Sequence, residues 1–404
     1  MKLHSSLMTA VTETVYQIFH DQKMADKAIQ HVLKSNKKWG SRDRAFIAEN
    51  CYEMVRWWRL LHFINESRVN NLHPSTLMRL LGILLRMKGI DLPEWSEFKG
   101  LSRSHIKFRY DEAQKIRKVK ESIPDWLDQL GADELGEKWE SVLSSLNVTA
   151  PLTIRVNTLK TNYSQLAMAL IPHGVKLHPI PDVPNAARVE ERSNLFSLPE
   201  FKEGLFEVQD AGSQLIPMMT GVKPGLRVID ACAGAGGKSL QLACMMENKG
   251  AIIAMDIEEW KLEELKKRAR RNGIHNIETR LITGKVIKRL RGSADVVLLD
   301  VPCSGLGVLR RNPDAKWKLQ PSTIEELHIK QAEILQSYSS MVKDGGILVY
   351  ATCSILPSEN EKQVAAFLAK NPQFQLVEER WSDLSGGLMD GFYMARMARQ
   401  DKQD

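Results

Sequence analysis

The chain has 404 residues, of which 43% are hydrophobic and 26% charged, and it carries a formal net charge of +7. That length supports two or three domains with a real core, and the balance excludes a disordered or fibrous protein. The basic excess favours an acidic partner, most commonly nucleic acid, and five widely spaced cysteines with no CxxC pair argue against a disulfide framework or a zinc site.

The first residues alternate polar and apolar side chains at helical spacing, with no continuous apolar run of the kind a secretory signal needs. No stretch is apolar for long enough to cross a bilayer. The expectation is a cytoplasmic protein with reduced thiols. Residues 1–145 read as helical: Arg42–Ile64 and Ser75–Met87 both carry apolar residues at i, i+3, i+4 spacing. A basic stretch follows, with Arg103, Lys107, Arg109, Lys115, Arg117, Lys118 and Lys120. It reads equally as a solvated helix face or as a contact for RNA phosphates.

Residues 146–212 read as a small α+β module. Pro151–Leu159 alternates like a strand, Tyr163–His173 reads as a short helix, and short β-type runs follow near Val175–His178, Ala187–Val189 and Gly204–Gln209. From 213 to 404 strands and helices alternate. Leu226–Ala231, Ala251–Asp256, Glu278–Thr283, Ala294–Asp300 and Ile347–Cys353 are the strands, and a long helix spans Pro321–Val342. Their near-continuous apolar runs predict an α/β fold, with a mostly parallel, doubly wound sheet covered by helices on both faces. Ligands of such sheets bind beyond the carboxyl ends of the strands, where Asp230, Asp256, Asp300 and Cys353 fall.

Asp230–Ser239 reads DACAGAGGKS, a strand entering a small-residue loop and then a helix. Ala233 stands where a Walker loop needs its first glycine, and Ser239 stands where the dinucleotide fingerprint needs its third. The loop with Asp256 one strand later suits an adenosine-containing ligand whose ribose diol the acid would grip. A tight packing turn, with Asp256 as a helix N-cap, is the plainer explanation of the same residues.

Asp300–Gly307 reads DVPCSGLG and Thr352–Ser354 reads TCS, both at strand ends. A lone strand-end cysteine usually serves as a small hydrophobe, but Cys303 and Cys353 would share one edge of the sheet beside an acid. A thiolate that adds to carbon 6 of cytosine makes carbon 5 nucleophilic towards an activated methyl group, and an acid such as Asp300 can hydrogen-bond the ring. Arg310, Arg311, Asn312 and Trp317 follow on an expected loop, where Arg and Trp could hold a phosphate and stack a base, or form an ordinary loop with one buried Trp.

DACAGAGGKS, Asp256, DVPCSGLGVLRRNPDAKW and YATCSILPSENE together resemble the Nol/Nop/Sun family of RNA cytosine-5 methyltransferases. The likeness runs from Phe206 to the C-terminus and extends upstream through Ala150–Thr158, which is similar to the family's small RNA-binding module and would place Arg155 and Asn157 on RNA. GSRDRAFIAENCYEMVRWW is similar to the NusB-like extension of the bacterial small-subunit ribosomal RNA members. The resemblance implies a Rossmann-like class I methyltransferase domain with S-adenosylmethionine as cofactor. It implies Cys353 as nucleophile, Cys303 in product release, Asp300 on the base, and Lys238 in the glycine motif. Cys232, Ala233, Gly234, Ala235, Gly236, Gly237 and Lys238 would line the cofactor, with Asp256 on its ribose and Asp300 beside it. Thr283 stands where many members carry an acid near the adenine, and Ala235 where many carry Pro.

The implied partner is RNA, ribosomal rather than transfer RNA, bound by a monomer with no metal and no membrane. Two rival readings stand beside this one. A DNA cytosine-5 methyltransferase would use Cys303 as nucleophile, which the TCS motif and the upstream module oppose. A non-catalytic RNA-binding assembly factor would account for Thr283 but has no need of Asp300, Cys303, Cys353 and Lys238 together.

Overall fold

The computed structural model describes residues 3–191 and 193–401. They divide into two compact units. One takes the chain up to Asn147 together with Leu309–Gln320, and the other takes Val148–Val308 and Pro321 onward. The segment 309–320, expected within the catalytic domain because it follows the PCS motif, thus belongs to the helical unit.

In the helical unit, Ser5–Phe19, Ser41–Arg56, Trp58–Ile64 and Pro74–Met87 are the principal helices. Each turns an apolar stripe inward, and Met8, Ile47, Met54, Leu61 and Leu80 are fully buried. Phe19 stacks on Trp58 with ring centroids 3.9 Å apart. The basic stretch forms helices Arg103–Ala113 and Arg117–Lys120. Its seven cations each reach an acid of the same unit: Asp91, Asp111, Glu66, Glu112, Asp128, Asp125 and Glu140 in turn. The exposed pairs among them contribute little and exchange easily, whereas Arg117 grips the buried Asp128 through two hydrogen bonds.

The second unit contains two sheets. The smaller has β1 (Thr153–Val156), β2 (Leu177–Pro179), β3 (Ala186–Val189) and β4 (Phe206–Val208) in the order β2-β3-β1-β4, all pairs antiparallel. Helix Tyr163–Leu170 covers it, burying Leu166 and Leu170 against Ile154, Val156 and Phe206.

The larger sheet has β5 (Arg227–Asp230), β6 (Ala251–Asp256), β7 (Ile277–Leu281), β8 (Ala294–Asp300), β9 (Val342–Thr352), β10 (Phe374–Trp381) and β11 (Tyr393–Arg399). Their order is β10-β11-β9-β8-β5-β6-β7. The pairs from β9 through β7 are parallel, as the apolar runs predict, and β11 lies antiparallel between β9 and β10. The chain winds outward from β5 through β6 to β7, then crosses back to β8. The sheet therefore reverses direction between β5 and β8, and the carboxyl ends of these strands flank the crevice where such sheets bind ligands.

Candidate active site

At the end of β5 the chain turns through Cys232–Gly236 into helix Gly237–Met245. Gly236 has φ +87°, and a Cβ there would lie 2.4 Å from Leu265 Cγ, so only glycine fits both the turn and the packing. Asp256, at the end of β6, binds this loop: Oδ2 accepts from Gly234 N at 2.9 Å, and Oδ1 accepts from Glu258 N at 2.9 Å. Asp256 is not the N-cap of the next helix, which is Glu258; its carboxylate closes a two-residue turn ahead of that helix while it holds the glycine loop.

A cavity of about 370 Å³ opens beside these strand ends, with Ala231, Cys232, Asp256, Ile257, Ile282 and Pro302 among the residues that line it. An acid, two apolar walls and a glycine loop suit a ribose carrying a flat base, so these residues fit an adenosine cofactor. Thr283, expected at the adenine, does not line this cavity. Its hydroxyl accepts from Val286 N at 3.3 Å and caps helix Gly284–Arg289, and the neighbouring Ile282 forms the wall instead.

Asp300 ends β8 and Thr352 ends β9, with Asp300 in register with Ala351. This parallel pairing brings the residues that follow each strand together, and Cys303 Sγ lies 3.3 Å from Cys353 Sγ. Lys238, from the first turn of the glycine-loop helix, places Nζ 2.5 Å from Asp300 Oδ2. Burial works against the Lys238 ammonium, but the Asp300 charge and hydrogen bond outweigh it and raise its pKa. The hydrogen bond with Cys353, then burial, then the charges of Cys353 and Glu359 push the Cys303 thiol well above its ordinary value. Gly307 N donates to Cys353 O at 2.9 Å, and a Cβ on Gly307 would collide with Gly391 O at 1.9 Å. Sulfur pair, acid and lysine thus converge at the end of the sheet that the cofactor loop borders.

Of the residues expected on RNA, Arg155, Asn157 and Arg310 are buried, and Arg311 and Trp317 are partly buried. Arg155 lies in a strand whose every residue is buried, and it is 3% exposed. Its guanidinium bonds Gln209 Oε1 and donates to Gly237 O at 2.7 Å, so it braces the glycine-loop helix from behind. Asn157 is 1% exposed and donates to Gly204 O at 2.8 Å and Asn272 O at 2.9 Å. Both side chains are thus taken up inside the fold, by backbone carbonyls of neighbouring turns and by Gln209. In the helical unit Arg310 is 2% exposed, and its carbonyl accepts from Arg56 Nη2 at 2.9 Å. Trp317 donates its indole N–H to Val55 O at 2.8 Å and packs near Phe19. Arg311 is partly buried. The loop is a structural insertion rather than a free arm.

Sequence reasoning missed Glu359 and Asn360, although both lie in the quoted SENE run. Their place in a polar run a few residues after a strand-end cysteine motif was the available signal.

Comparison with known proteins agrees with this architecture. The family model for 16S rRNA methyltransferase RsmB/F matches residues 218–403, and a second, for the RsmF/B-like ferredoxin-like domain, matches residues 123–195. The second begins within the helical unit, well upstream of the small sheet. A probable ribosomal RNA small subunit methyltransferase B of Synechocystis sp. is 30% identical over 407 residues, covering 88% of this chain and 91% of its own. The ribosomal RNA small subunit methyltransferase B of Yersinia pseudotuberculosis is 27% identical over 436 residues, covering 99% and 100%. A solved methyltransferase homologue from Pyrococcus horikoshii superposes with a TM-score of 0.63 at 26% identity, covering 70% of this chain and 97% of its own.

Proposed function

The chain belongs to the RsmB/F family of 16S rRNA methyltransferases, and from that premise we propose that it methylates carbon 5 of a cytosine in small-subunit ribosomal RNA through a covalent bond between Cys353 and carbon 6. The observation that carries this reading is the 3.3 Å approach of Cys303 and Cys353 beside the Lys238–Asp300 pair. A cytosine-5 reaction calls for a nucleophilic thiol and an acid within reach of one base, and the second thiol beside them suits the release step that the RNA enzymes are expected to use.

S-adenosylmethionine supplies the electrophilic methyl group. The loop Cys232–Lys238 and Asp256 would hold it, with Ile257 and Ile282 against its adenine. Cys353 attacks carbon 6 as the thiolate, and the C5–C6 electron pair becomes available at carbon 5. Asp300 keeps Oδ2 on Lys238 and would accept from the exocyclic amine through Oδ1, while the Lys238 ammonium beside it offsets the negative charge that develops on the ring. After methyl transfer the C5 proton leaves to a base, its electron pair restores the C5–C6 double bond, and the C6–S bond breaks to return Cys353 as thiolate. Cys303, whose thiol stays protonated, assists that release. All five cysteines are free thiols, in keeping with a reaction set in the reducing cytoplasm.

The test is methyl transfer from labelled S-adenosylmethionine to small-subunit ribosomal RNA, transfer RNA and DNA, paired with bisulfite sequencing of RNA from cells with and without the gene. One ribosomal cytosine should lose protection when the gene is removed. Label appearing only in transfer RNA or DNA would overturn the substrate, and label at another base or atom would overturn the chemistry.

A further inference from the structure

Glu359 is fully buried, six residues beyond Cys353, at the end of a turn spanning Pro357–Glu359. Its carboxylate accepts four hydrogen bonds. Ser304 N donates at 2.8 Å and Ser304 Oγ at 2.5 Å, Gln331 Nε2 donates at 2.9 Å, and Ser354 Oγ is the fourth donor. All four donors are uncharged. Ser304 follows Cys303 in the chain, and Ser354 follows Cys353. One carboxylate therefore ties together the residues next to both thiols, and the two serine hydroxyls also meet at 3.2 Å.

The anchorage continues on either side. Tyr350 OH donates to Glu359 O at 2.7 Å, fixing the turn to β9. Asn360 accepts from Thr352 Oγ1 at 2.5 Å and donates to Ser354 O at 3.0 Å, so both chain neighbours of Cys353 are pinned. Gln331 also donates to Pro302 O at 3.0 Å, which pins the residue before Cys303.

We propose that Glu359 is a positioning residue for methyl transfer, whose carboxylate clamps the two cysteine loops so that Cys303 and Cys353 address the same base. This rests on the reading of both cysteines given above. A buried carboxylate with no cation is a poor device for stability alone, because an apolar residue of similar size avoids its desolvation. It is a good device for geometry, since four directional bonds fix two loops from different strands at one point. The negative charge has a second effect: it opposes ionisation of Cys303, keeping that thiol protonated beside the nucleophile. A displacement of about 1 Å at a reacting group can cost about 100-fold in rate.

The experiment compares Glu359→Gln, Glu359→Asp, Ser304→Ala and Ser354→Ala in the full chain, with in vitro transcribed small-subunit ribosomal RNA as substrate. Glu359→Gln keeps the reach but loses the charge, Glu359→Asp keeps the charge but shortens the reach, and each serine variant cuts one leg of the clamp. Turnover, KM for RNA, calorimetric cofactor affinity and the rate of protein–RNA adduct formation on denaturing gels are read for each. We expect kcat to fall by about 30-fold or more in both Glu359 variants and by about 3- to 10-fold in each serine variant. Adduct formation should slow in proportion, with cofactor affinity and KM within about threefold of the parent. Wild-type kcat in a folded Glu359→Gln would overturn the proposal. So would a loss that tracks only the fraction of enzyme able to bind cofactor. If Glu359→Gln does not fold, the serine variants decide: wild-type kcat in both overturns the clamp, and reduced kcat with normal KM upholds it. Cys353→Ala, run alongside, separates the two levels, because full turnover in that variant would sink the cysteine reading itself.

Discussion

Cys303 and Cys353 present their sulfurs 3.3 Å apart from loops that follow adjacent parallel strands, yet their surroundings differ. Hydrogen bonding to Cys353, burial and two nearby negative charges hold Cys303 as a thiol. The asymmetry predicts different fates for two substitutions of equal size. Cys353→Ala should bind RNA and yield neither product nor covalent adduct. Cys303→Ala should still add to the base and transfer the methyl group, then stall, so that a protein–RNA complex resistant to denaturing gels accumulates. The reverse pattern would move the nucleophile to Cys303 and favour the DNA-type mechanism.

Asp256 holds the glycine loop through Gly234 N and the turn before the next helix through Glu258 N. Asp256→Ala should therefore act twice. Loss of the ribose contact should weaken S-adenosylmethionine binding by about 10- to 100-fold, the range of one charge-assisted hydrogen bond. Loss of the two bonds to backbone N–H groups should lower stability by about 1 kcal/mol. Calorimetry on the folded variant reads the first effect and urea unfolding the second. Unchanged cofactor affinity would remove Asp256 from the cofactor site.

The parallel strands were legible because burial on both faces forces continuous apolar runs, and those runs fix which residues stand at the strand ends. That logic reached Asp256, Asp300, Cys303 and Cys353 without any knowledge of contacts. It failed for β10, an edge strand exposed along nearly its whole length, whose sequence FQLVEERW carries no alternation. In β11, YMARMAR repeats every three residues and matches neither a helix nor a half-buried strand. Arg155 and Asn157 were misplaced for a different reason. The resemblance of Ala150–Thr158 to a small RNA-binding module put them on RNA, but both are buried, and the partners that hold them lie 47 to 115 positions away, where only the fold brings them near. Glu359 is the same case with a function attached.

The segment 309–320 follows the PCS motif yet packs within the helical unit, where Trp317 bonds Val55 O and Lys316 donates to Arg56 O at 3.0 Å. Trp317→Ala should destabilise that unit by about 2 kcal/mol, less than a fully buried aromatic because the ring is partly exposed. RNA affinity should change by less than about threefold in protein that remains folded. Urea unfolding and filter binding decide the matter. A tenfold loss of RNA affinity at unchanged stability would restore the stacking role that the sequence suggested.

Asp230 ends the central strand fully buried and accepts from Ser239 Oγ at 2.6 Å. Burial pushes its carboxyl up from 3.8 to about 6, against the Ser239 hydrogen bond. A folded-state value above the unfolded one means that the native protein binds the proton more tightly. The resulting stabilisation is complete below the unfolded value near 4 and is lost as pH rises through 6. A shift of about two units corresponds to about 3 kcal/mol over that window. Asp230→Asn keeps the shape, still accepts from Ser239 and does not titrate. The stability of this variant relative to the parent should therefore increase by about 3 kcal/mol between pH 4 and pH 7, with most of the change between pH 4 and 6. Taking the difference between the two proteins cancels every other group that titrates in the same range. Urea unfolding at half-unit pH intervals gives the curve directly. A flat difference would mean that Asp230 is ionised at no cost in the folded state, and that the glycine-loop helix rests on a charged carboxylate at its base.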